Sequence, residues 1–71
     1  MAVVYIEPRP KGRRRRGPIK AYAIETGANQ ELATFESQHT AIDWAKDQGY
    51  GICVARIRAS DKSNPDHWRK A

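Results

Sequence analysis

Seventy-one residues allow a single domain, and a chain this short buries only about 60% of its unfolded surface, so its core must be small. A hydrophobic content of 39% excludes a wholly disordered chain, and no apolar run approaches the ~20 residues needed to cross a bilayer. The net charge of +5 is local: Arg9 to Lys20 holds seven of the thirteen Lys and Arg and no acid, while the rest sets six Lys and Arg against eight Asp and Glu.

Ala2 to Glu7 is rich in β-branched and aromatic residues and predicts a first strand, stopped by Pro8, which has no N–H for a ladder. Pro8 to Pro18 carries three prolines, two glycines and the arginine block, and reads as a long, flexible, solvated loop. Ile19 to Thr26 resumes a strand, with Tyr22 and Ile24 on one face and Ala21 and Ala23 on the other. Gly27, Ala28 and Asn29 supply turn chemistry, so Leu32 to Glu36 is expected to return antiparallel as a hairpin.

Ser37 is an N-cap residue, Ala41, Trp44, Ala45 and Gln48 follow at helical spacing, and Gly49 is a C-terminal stop. One helix is therefore expected from about Ser37 to Gln48. Ile52 to Arg58 reads as a fourth strand, with Cys53, Ala55 and Ile57 facing one way and Val54, Arg56 and Arg58 the other. From Ser60 the chain turns polar, although Asn64 before Pro65 favours a single helical turn.

The expectation is one α+β domain over residues 1–59, in the order β-β-β-α-β, with a polar C-terminal tail over residues 60–71. The helix covers one face of the small sheet, packing on Val4, Ile6, Tyr22, Ile24 and Phe35. The other face is left open, showing Val3, Tyr5, Ala21, Ala23 and Val54 with Glu7, Glu25, Arg56 and Arg58 among them. The basic loop lies between strands one and two.

Three stretches carry a resemblance: Val4-Tyr5-Ile6-Glu7-Pro8, Tyr22-Ala23-Ile24, and Phe35-Glu36-Ser37 leading into Ala41-Ile42-Asp43-Trp44-Ala45. On these the chain resembles a small uncharacterised bacterial family of β-β-β-α-β domains. That resemblance implies the fold and a bacterial origin, and no activity. The order of three strands and then a helix is also similar to small DNA-binding domains at the N-termini of some recombinases, an analogy of element order alone.

The chemistry of catalysis is not assembled. His39 and His67 are not at metal-ligand spacing, and Cys53 has no second cysteine to complete a zinc site or a disulfide. No nucleophile–base set or glycine-rich phosphate loop follows a strand, so neither an enzyme, a metal nor a cofactor is expected. Cys53 reads as a small apolar core residue, and a lone cysteine fits a reducing cytoplasm.

The basic segment is the one pointer to a partner. Arg13, Arg14, Arg15 and Arg16, with Lys11, Arg9 and Lys20, and with Arg56 and Arg58 from strand four, form a candidate grip on the phosphates of DNA or RNA. A membrane-surface patch lacks an apolar anchor beside it, and insertion is not expected. Two readings stay open: nucleic-acid association, or a protein-interaction or self-associating module on the open sheet face, the arginines being incidental. Trp68, beside His67, Arg69 and Lys70, either stacks on a base or folds back onto the core.

Overall fold

Apolar residues at alternate positions, Val4 and Ile6, build β1 (Val3–Arg9), and both are fully buried. The computed structural model describes residues 2–10, 18–56 and 60–71. β2 (Ala21–Thr26) runs antiparallel to β1, with Ile24 opposite Ile6, and β3 (Glu31–Phe35) runs antiparallel to β2. After α1 (Gln38–Asp47), β4 (Gly51–Ala55) lies parallel to β1, and β5 (Trp68–Lys70) closes the far edge. The mixed sheet has the order β3-β2-β1-β4-β5, so β1 is its centre.

The helix forms where its signals stand. The Ser37 hydroxyl accepts the Thr40 N–H at 3.1 Å, and Gly49 takes the left-handed conformation, φ +81°, just past the end. Ala41 and Ala45 are the two helix positions with no exposed surface, and their small side chains let α1 sit close on the sheet. There they meet Val4, Ile6, Ile24, Ile52 and Val54, while Phe35, Trp44 and Tyr50 form a tilted aromatic row at the rim. Replacing Ser37 with alanine should cost about 1 kcal/mol, read as a lower urea midpoint with an unchanged slope.

The α+β fold and the β-β-β-α-β order hold, with three corrections. β1 does not stop at Pro8 but runs through it to Arg9. Pairing with β4 ends at Ile6 opposite Val54, so Pro8 lies where β1 is paired by β2 alone, a position that tolerates a missing N–H. Strand four faces the opposite way from its expected reading. The parallel register sets Ile52 beside Val4 and Val54 beside Ile6, so Ile52 and Val54 enter the core, and Cys53 is half-buried on the second face.

The third correction concerns the tail. Residues 60–71 hold a 3-10 turn, Pro65–His67, started by Asn64 as expected, and then β5 antiparallel to β4. The sheet face expected to be open is covered in part by this segment: Ala23 and Glu7 have no exposed surface, while Val3 at its end stays 46% exposed. No helix among the described residues is long and apolar enough to cross a membrane.

Candidate nucleic-acid interface

Tyr5, Glu7 and Arg9 alternate with the core residues of β1 and so share the second face, opposite Glu25, Ala23 and Ala21 of β2. A carboxylate as buried as that of Glu7 is tolerated only with charged and hydrogen-bonding partners. It has them. Arg9 Nη1 lies 3.2 Å from Glu7 Oε1, and Arg9 Nη2 lies 2.7 Å from Glu25 Oε2, so one guanidinium bridges two strands. The Ser60 hydroxyl donates to Glu7 Oε2 at 3.1 Å.

Lys62 completes this network from above. Its Nζ lies 2.6 Å from both Glu25 Oε1 and Asn29 Oδ1, and 5.5 Å from the centre of the Tyr5 ring. Trp68 then meets Tyr5 edge to face, with ring centres 4.9 Å apart, and its indole N–H donates to the Asp61 carbonyl at 2.8 Å. The C-terminal segment is thus fastened over the sheet by a hydrogen bond at Ser60, an ion pair at Lys62 and an aromatic pair at Trp68. Trp68 folds back onto the domain, one of its two expected placements.

The parallel pairing of β1 with β4 puts the C-terminal ends of both strands at one end of the sheet. Arg9 ends β1 there, and the Lys20 N–H donates to its carbonyl at 2.8 Å at the start of the return strand. Arg56 follows β4 at the same end, its N–H donating to the His67 carbonyl at 2.7 Å. Lys20 and Arg56 are exposed.

Of the candidate phosphate contacts, Arg9, Lys20 and Arg56 are therefore brought to one end, with Arg9 engaged by two carboxylates. Lys11, Arg13, Arg14, Arg15, Arg16 and Arg58 lie outside the described residues, as does most of the loop expected to be flexible. The chain leaves the described structure after Pro10 and re-enters it at Pro18, beside Arg9 and Lys20.

The remaining polar candidates are local. His39 Nε2 lies 3.2 Å from Asp43 on the exposed helix face, and His67 Nδ1 accepts the Asp61 N–H at 2.9 Å. Arg69 Nη2 reaches Gln38 on the helix side at 3.5 Å, whereas Lys70 alternates to the second face. Sequence reasoning missed the network of Glu7, Arg9, Glu25 and Lys62. Its one visible signal was charge at alternate positions, Glu7 and Arg9, in continuation of an apolar strand.

Comparison of the chain with family models, curated proteins and solved structures gives no match.

Proposed function

We propose that this is a small, non-enzymatic domain that binds DNA or RNA through the phosphate backbone. The observation that supports it most is the placement of charge. The segment holding seven of thirteen Lys and Arg begins and ends at the sheet end where exposed Lys20 and Arg56 also stand. In this reading Lys11, Arg13, Arg14, Arg15, Arg16 and Lys20, helped by Arg56 and Arg58, contact phosphates. Arg9 anchors the root of the hairpin. The lone cysteine and the family resemblance support a bacterial, cytoplasmic setting.

The rival interaction-module reading is less well supported by the packing on that face. Residues 60–68 lie over the sheet face it requires, and Ala23 at the middle of that face is fully buried.

The test is a titration of the full chain against labelled duplex DNA and RNA. With Arg13, Arg14, Arg15 and Arg16 alone in contact, affinity should fall about 150-fold between roughly 50 and 200 mM salt, and more steeply with each further contact, similarly for every sequence. Absence of binding at the lower salt overturns the proposal.

A further inference from the structure

On the second face, Tyr5, Cys53 and Lys70 stand in one row across β1, β4 and β5, and Trp68 stands in the next row opposite Ala55. Between them opens a cleft of about 260 Å³, floored by Cys53 and walled by Tyr5, Trp68, Lys62 and Pro65. Among the described residues its lining includes Lys62 and Lys70 and no carboxylate. A volume below the roughly 300–1,000 Å³ typical of drug-sized ligands suits one flat ring better than a whole cofactor.

We propose that this cleft seats one unpaired base of a single-stranded nucleic acid. The inference rests on the phosphate-binding reading above and names its substrate class. Three features favour that occupant. Tyr5 and Trp68, packed edge to face on each other, both line the cleft with aromatic surface, and such surface stacks on any base regardless of sequence. Lys70 is exposed beside the cleft, where the phosphate attached to that base would lie. Trp68 pairs with Ala55, the residue before Arg56, so the cleft borders the basic end of the sheet. A strand laid along this face would meet Lys70, then the aromatic cleft, then Arg56. A duplex keeps its bases stacked inside and cannot fill the cleft without extruding one.

Cys53 is the only cysteine in the chain and sits on the cleft floor, so its thiol reports occupancy directly. The experiment alkylates the wild-type protein with iodoacetamide alone, with saturating oligo-dT, and with saturating duplex DNA of equal length. Binding is followed in parallel by anisotropy. Oligo-dT should slow alkylation at least about five-fold, and duplex should leave the rate unchanged, since one base–aromatic stack corresponds to about a five- to 150-fold effect. Cys53→Phe, which fills the cleft from its floor, should weaken oligo-dT by that same factor and spare duplex binding. If oligo-dT binds but alkylation is not slowed, the cleft proposal is overturned and the phosphate reading stands. If neither nucleic acid binds, both fall.

Discussion

Replacing Arg9 with methionine should destabilise the protein by about 3 kcal/mol, although Arg9 belongs to the segment expected to face a polyanion. Methionine keeps the apolar stem but leaves the buried Glu7 carboxylate and Glu25 without their shared guanidinium. Breaking a buried pair costs about 3–5 kcal/mol, and the lower end applies because Arg9 keeps a quarter of its side chain in water. In a domain this small that is a large share of the total, and the melting temperature should drop by roughly 15 °C. Lys20→Met, on an exposed neighbour, should stay within about 0.5 kcal/mol of wild type. Thermal denaturation of the two variants checks the contrast. Equal stability would mean that the bridge to Glu7 and Glu25 holds nothing together.

The second large effect concerns binding. Changing Arg13, Arg14, Arg15 and Arg16 together to alanine should weaken duplex binding by about three to four powers of ten at roughly 0.1 M salt. Each lost phosphate contact forfeits close to one power of ten of counterion release at that concentration. The melting curve should be unchanged, because the ion pairs across the second face rest on Arg9 and Lys62. The loss should be the same for all sequences, since contacts to phosphate carry no base information. Anisotropy titrations paired with melting curves separate this outcome from unfolding. Arg9→Met and the quadruple variant thus split one basic segment into a structural residue and a binding block.

What could be read from the sequence depended on how far each signal reached along the chain. The helix was legible because its cap, its apolar spacing and its stop are all local: Ser37, Ala41 with Ala45, and Gly49. The hairpin of β2 and β3 was legible for the same reason, through Gly27 and Asn29, and Asn29 does take a positive φ of 67°.

Strand four was found but turned over. Ile52 and Val54 alternate with Cys53 and Ala55, so both faces are apolar, and only the register against Val4 and Ile6 decides between them. β5 escaped notice because it has three residues, two of them charged, and is defined by pairing with β4 rather than by any pattern of its own. The same loss of long-range information hid the ion network. Ser60 and Glu7 are 53 positions apart, and nothing near either one announces the other. At the candidate interface, the concentration of charge was plain from composition, whereas the double engagement of Arg9 needed Glu25 brought onto the same sheet face by β2.

The most direct test of phosphate binding is the dependence of affinity on salt, measured for wild type and for the quadruple alanine variant on the same duplex. Plotted as log K against log salt, four working arginines make the wild-type slope steeper than the variant's by about 3.6, at close to 0.9 per contact. That difference is the expected result. Parallel lines for the two proteins, or no wild-type binding at the lowest salt, would contradict it.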